Sequence, residues 1–193
     1  MTSPALTDTR VAEAPYQNLI LTGFLGAGKT NVGRTVAQRL GVSFFDLETE
    51  VQLREGLSAD EIRALFGEAR LRTLEVDICR ELSLRRGSVL AISATTMLDE
   101  TNRNRLTTSG PVLVLTCALD EILRRLHAAQ GARFHDPRVR ASALHQLRRD
   151  QQIRKLTEFP IMDTTLYTID DVAEKAITFW REHDMLSISR WKE

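Results

Sequence analysis

Short apolar runs alternate along this chain with longer segments of helical spacing. Asn18 to Thr22 is apolar and stops at a glycine cluster, as a buried strand does. From Thr30 to Leu40 the apolar positions Val32, Val36, Ala37 and Leu40 share one helical face, and Gly41 suits the residue after the helix end. The pattern predicts further strands at Val42–Phe45, Ser88–Ile92, Pro111–Thr116 and Thr165–Ile169. Ser58 and Glu61 have capping-box spacing ahead of a long helix to Arg86, broken near Phe66 and Gly67. Shorter helices are expected over Asp99–Leu106 and Leu119–Ala129, an Arg-rich one over Arg138–Leu156, and a closing one over Asp170–His183. Gln130 to Arg138 lacks an apolar period and reads as an exposed loop. Strands alternating with helices call for an α/β fold: a five-stranded parallel sheet covered on both faces.

Composition narrows the class. The chain has 193 residues, 42% hydrophobic, enough for one domain with a real core. Its 26 basic and 26 acidic residues cancel, which argues against nucleic acid as partner. The Arg-rich stretch 124–154 offers only Phe134 for base stacking. No apolar run approaches the ~18–20 residues of a membrane span, and residues 1–16 lack the order of a secretory signal. Two distant cysteines, Cys79 and Cys117, make no disulfide framework or zinc motif. His127, His135 and His145 lack ligand spacing and read as surface residues. These features predict a cytoplasmic monomer: a flexible leader at 1–16, one domain at 17–184, and a tail at 185–193.

Residues 23–30, from Gly23 through Gly26, Ala27 and Gly28 to Lys29 and Thr30, match G-x-x-x-x-G-K-[ST] directly after the first strand and at the start of the first helix. The glycines allow a tight turn with N–H groups pointing inward, and the helix N-terminus favours phosphate. Lys29 reaches the β and γ phosphates, and the Thr30 hydroxyl suits Mg²⁺. The guanine-reading Asn-Lys-x-Asp run of a GTPase is absent, and the third strand does not end in an acid, as that of a large ATPase would. The acids follow the second strand instead, at Asp46 and Glu48. One can hold the Mg²⁺ shell while the other orients or deprotonates an acceptor hydroxyl.

At this point the sequence resembles the shikimate kinase family. The shared features are residues 26–30, Gly33-Arg34, Leu40-Gly41, Phe45-Asp46, the segment Gly67-Glu68 through Arg72 to Glu75, and Asn102-Arg103. The resemblance implies a nucleoside-monophosphate-kinase-like fold with a mobile lid, transferring a phosphoryl group from Mg·ATP to a small anionic metabolite. In those terms Gly26, Ala27, Gly28, Lys29, Thr30, Asn31 and Arg124 would bind ATP, with Arg125 as the alternative to Arg124 against adenine. Thr30 and Asp46 would hold Mg²⁺, and Glu48 would grip the acceptor hydroxyl. Arg72, Ala94 and Arg154 would bind the acceptor, and Arg133 would be the lid arginine on the transferring group.

The departures cluster on the acceptor side. Glu48 stands where the family has Asp, and Ser93-Ala94-Thr95 replaces three glycines, whose added Cβ atoms are expected to crowd the acceptor and restrict the backbone. Phe134 follows Arg133 where the family has Pro, and the Pro-Leu-Tyr expected after Arg154 is missing. Shikimate is the best single acceptor. The alternatives are a kinase for another hydroxy acid, such as a sugar acid, and a nucleotide-binding homologue without transfer.

Overall fold

The computed structural model describes residues 15–189, with side chains to residue 184. Five strands form one parallel sheet: β1 Leu19–Gly23, β2 Ser43–Asp46, β3 Ser88–Ala91, β4 Val112–Thr116 and β5 Ile161–Asp163. Their order is β2-β3-β1-β4-β5, so the chain switches direction beside β1. Leu21 pairs with Ala91 on one side and Leu113 on the other. Binding clefts of open α/β sheets form at such a switch, beyond the carboxyl ends of the strands. β1 and β4 are buried throughout because helices cover both faces, which is why they read as largely apolar runs without polar alternation.

Helix α1, Lys29–Leu40, buries Val32, Gly33, Val36 and Ala37. It ends at Gly41, whose φ of 66° suits the left-handed C-cap. The domain then runs through α2 (Leu47–Glu55), α3 (Ala59–Ser83), α4 (Ala94–Leu98) and α5 (Glu100–Ser109). It closes with α6 (Leu119–Gln130), α7 (Pro137–Asp150) and α8 (Ile169–Ser189). The Ser58–Glu61 capping box is present, and α3 breaks at Gly67 (φ 84°, ψ 167°), a backbone that L side chains disfavour.

Several expectations are corrected. Thr165–Ile169 is not a strand. The Asp163 side chain turns the backbone there by accepting from Thr165 N at 2.8 Å. The strand lies earlier, where only partly apolar edge residues follow Pro160. Gln130–Arg138 is not an open loop. α6 reaches Gln130, and a 3₁₀ turn over Gly131–His135 buries Phe134 beside His127. Arg138–Leu156 divides at Asp150 into α7 and a second 3₁₀ turn, Gln151–Lys155.

The leader falls outside the described residues except for Pro15 and Tyr16. Pro15 is buried, and Tyr16 O accepts from Gly87 N at 2.7 Å. The closing helix outruns its expected end and enters the expected tail; residues 190–193 lie outside the described residues. Among the described residues no helix is long and apolar enough to cross a membrane.

Candidate active site

The loop after β1 is shaped by its glycines. Gly26 (φ 74°) and Gly28 (φ 102°) adopt left-handed conformations, and Gly28 is the N-cap of α1 without any side-chain cap. The first N–H groups of α1 are thereby left for an anion. Lys29 Nζ donates to Gly23 O and Phe24 O, both at 3.0 Å, and so spans the loop it belongs to.

Asp46, the last residue of β2, has two jobs. Its Oδ1 caps α2, accepting from Glu48 N (3.0 Å) and Thr49 N (3.4 Å), while its Oδ2 accepts from Thr30 Oγ1 at 2.7 Å. The capping role and the site role are therefore compatible, since each oxygen serves one of them. The Thr30–Asp46 pair is a hard-oxygen donor set that fits Mg²⁺, which prefers oxygen and keeps several waters. Among the described residues no group of three or more His, Cys, Asp or Glu side chains comes together as a metal site.

A cavity of about 880 Å³ opens over this loop. Gly26, Ala27, Gly28, Lys29, Thr30, Asn31, Asp46, Glu48 and Arg124 all line it, so the expected nucleotide and catalytic residues meet there, Arg133 excepted. Glu48 keeps contact with solvent but sits among protein groups in the cleft. Burial pushes its carboxyl up, Lys29 pulls it back, and Asp46 adds to the rise. On the far wall Glu121 accepts from Arg124 and Arg125, which hold its carboxyl down at about 2. The two arginines divide the work. Arg125 is committed to Thr164 Oγ1 (3.1 Å) and Thr164 O (2.8 Å), whereas the Arg124 side chain is 70% exposed at the rim. Leu166 and Tyr167, read as strand residues in the sequence, line the same cavity from the turn after β5.

A second cavity, of about 400 Å³, lies between α3, α4 and the end of α7. Arg72 lines it, and Thr95 faces it from α4. Glu75, three residues beyond Arg72 on α3, makes no ion pair with it and accepts from Thr96 Oγ1 at 3.1 Å. Burial pushes the Glu75 carboxyl up against that hydrogen bond. Arg63, Arg149 and Glu68, the last named above only as part of the segment 67–75, complete the charged wall. Glu68 accepts from Arg63 Nε at 2.7 Å and from Arg149 at 3.3 Å. Burial raises the Glu68 carboxyl, but the two arginines together outweigh it and leave the group below its ordinary value. Asn102 Oδ1 lies buried at the same cavity without a hydrogen-bond partner among the described residues.

The structure does not bring the remaining expected residues to either cavity. Ala94 is buried in the core at 1% exposure, and its neighbours Ser93 and Thr95 face the cavities instead. Arg133 is exposed on the 3₁₀ turn. Arg154 lies over the Phe24 ring at 5.0 Å, and the arginine of this segment that lines the second cavity is Arg149. Nothing in the spacing of the five arginines between 138 and 154 singles out Arg149; the break of the helix at Asp150 does so. The backbone at Ser93-Ala94-Thr95 takes ordinary dihedrals, as the restriction by Cβ atoms requires. Among the described residues no non-glycine has positive φ, and Ser93 (φ −66°) caps α4 by accepting from Thr96 N at 3.0 Å.

The phosphate loop opening α1, the hydroxyl–carboxylate pair beside it and the adjoining charged cavity define a P-loop small-molecule phosphotransferase. The sequence matches the shikimate kinase family over residues 25–181, and the chain belongs to that family. It is an ATP-dependent small-molecule kinase. It is 34% identical over 167 residues to a shikimate kinase of Geobacter sulfurreducens, covering 86% of this chain and 92% of that protein. Identity to the shikimate kinase of Thermodesulfovibrio yellowstonii is 31% over 174 residues, 89% of this chain and 97% of the other. Among solved structures, a shikimate kinase from Acinetobacter baumannii in complex with shikimate superposes with a TM-score of 0.71 at 27% identity, covering 86% of this chain and 93% of that one. A gluconokinase from Sinorhizobium meliloti shares the fold, with a TM-score of 0.57 at 18% identity, 92% of this chain and 98% of that one.

Proposed function

We propose that this kinase transfers the γ-phosphoryl group of Mg·ATP to a ring hydroxyl of shikimate. The observation that carries the reading is the junction of the two cavities. Ser93 lines the nucleotide cavity, Thr95 lines the charged one, and their hydroxyl oxygens are 3.0 Å apart. A hydroxylated ring acid fits that arrangement, with its carboxylate toward Arg72 and Arg149 and a hydroxyl toward Glu48. The partnerless Asn102 Oδ1 supports a polar ligand, since buried polar atoms are rarely left unpaired.

Thr30 and Asp46 would hold Mg²⁺, which neutralises phosphate charge when bound. Lys29 holds the phosphates and stabilises the charge that builds on them. Glu48 orients the acceptor hydroxyl and takes its proton as the new O–P bond forms and ADP leaves. Arg124 covers the base, and Arg133 reaches the transferring group by movement of the 131–135 turn.

Coupled ADP release with purified protein and Mg·ATP tests this. Strong dependence on shikimate is expected. Turnover with gluconate or another hydroxy acid, and none with shikimate, would replace the acceptor; ATP binding without any acceptor-dependent turnover would sink the transfer reading.

A further inference from the structure

The end of α7 carries two adjacent residues that reach in different directions. Arg149 extends to Glu68 and the acceptor cavity. Asp150, 2% exposed, turns the other way: its Oδ2 accepts from the backbone N–H of Leu25, inside the phosphate loop, at 2.8 Å. Successive helical positions diverge by ~100°, so a dipeptide can span two walls. Gln146 Nε2 satisfies the other oxygen at 2.8 Å. Four residues on, Arg154 stacks over Phe24, the loop residue before Leu25. The segment that closes the acceptor cavity is therefore seated on the loop by two contacts.

A buried carboxylate is expensive unless a specific geometry depends on it. Here burial pushes the carboxyl up, while Leu25 N–H and the charge of Lys29 draw it back. An apolar residue would pack α7 without that cost, so packing alone does not account for an acid at this position.

We infer that Asp150 is a positioning residue that couples the two sites: by holding Leu25 N–H it transmits the state of the phosphate loop to Arg149 and so to the acceptor cavity. The inference rests on the assignment of donor and acceptor cavities above. Coupling of this kind is reciprocal, so nucleotide tightens acceptor binding by the factor with which acceptor tightens nucleotide.

Hydrogen exchange on the full chain tests the link without any acceptor. Adding Mg²⁺ and a non-hydrolysable ATP analogue to the wild type should slow exchange of peptides covering 137–155 by about fivefold or more, beside the protection of 23–40. Asp150→Ala should abolish the protection of 137–155 while leaving that of 23–40. Asp150→Asn, which keeps an oxygen for Leu25 N–H, should restore it. Should the alanine variant not fold, Asp150→Ser, whose hydroxyl is too short to reach, gives the same readout.

In the second readout, calorimetry with shikimate, nucleotide should tighten binding to the wild type and not to Asp150→Ala. Protection of 137–155 undiminished in Asp150→Ala, or absent from the wild type, overturns the inference. Failure of the wild type to bind shikimate overturns the acceptor assignment instead, and the exchange data still decide the link.

Discussion

The phosphate loop presents backbone where the second cavity presents side chains. Around Gly26 and Gly28 the binding surface consists of N–H groups at the start of a helix, fixed by dihedral angles and by the register of β1. Around Arg72 and Arg149 it consists of guanidinium and carboxylate groups, of which Arg63 and Arg149 are held by Glu68. The first kind of site accepts changes at its variable positions, because the donors belong to the chain itself. The second kind changes character when one partner goes, because an arginine without its carboxylate swings or repels its neighbour.

Four tests, using five substitutions, probe that contrast. Lys29→Ala should give the largest effect, a fall in kcat of about 10³-fold or more with the unfolding temperature nearly unchanged, measured by coupled ADP release. Near-normal kcat would show that the loop works through its backbone alone. Arg149→Ala should raise the acceptor KM by about 10–100-fold, the loss expected for a charge-assisted hydrogen bond, whereas Arg154→Ala should leave that KM within a fewfold. The reverse order would return the acceptor clamp to the position expected from sequence.

Glu48 makes the third test. Its carboxyl is raised, and only the deprotonated form can take a proton, so kcat/KM should rise with pH along an acid limb lying above the ordinary glutamate value. In Glu48→Gln that limb should vanish along with most activity; a limb unchanged in the variant would belong to another group. The smallest effect concerns Glu75. A carboxyl whose folded value is raised contributes stability below its unfolded value, and this is lost as pH climbs through the folded one. Glu75→Gln, which keeps an oxygen for Thr96, should raise the unfolding temperature slightly at pH 7 and leave it unchanged at pH 4, as calorimetry would detect.

The same contrast explains what could be read in advance. The phosphate loop, Asp46 and Glu48 were legible because glycine, lysine and acid positions sit at fixed spacing next to a strand end, so local chemistry suffices. The core face of α1 and the break at Gly67 followed from periodicity and a single glycine. β5 was misplaced because alternation over 165–169 imitates a strand, while the true strand is three partly exposed residues whose register depends on β4. Arg149 could not be singled out in the sequence because choosing among neighbouring arginines requires knowing where α7 gives way to the 3₁₀ turn at 151–155 and which way each side chain then faces. Helices α2 and α4 have nine and five residues, too few for an apolar period to stand out, so they are legible only from the caps Asp46 and Ser93 that start them.

The sheet's two margins carry a consequence for handling the protein. β2 has four residues and β5 three, and β2 turns straight into a helix. Exposed strand edges are templates on which other chains stack, and shortness is one of the ways proteins disarm them. The longer, largely apolar strands β1 and β4 lie inside and become available only when the domain opens. Aggregation should therefore track global unfolding rather than precede it, so turbidity on heating should begin at the calorimetric transition and not below it.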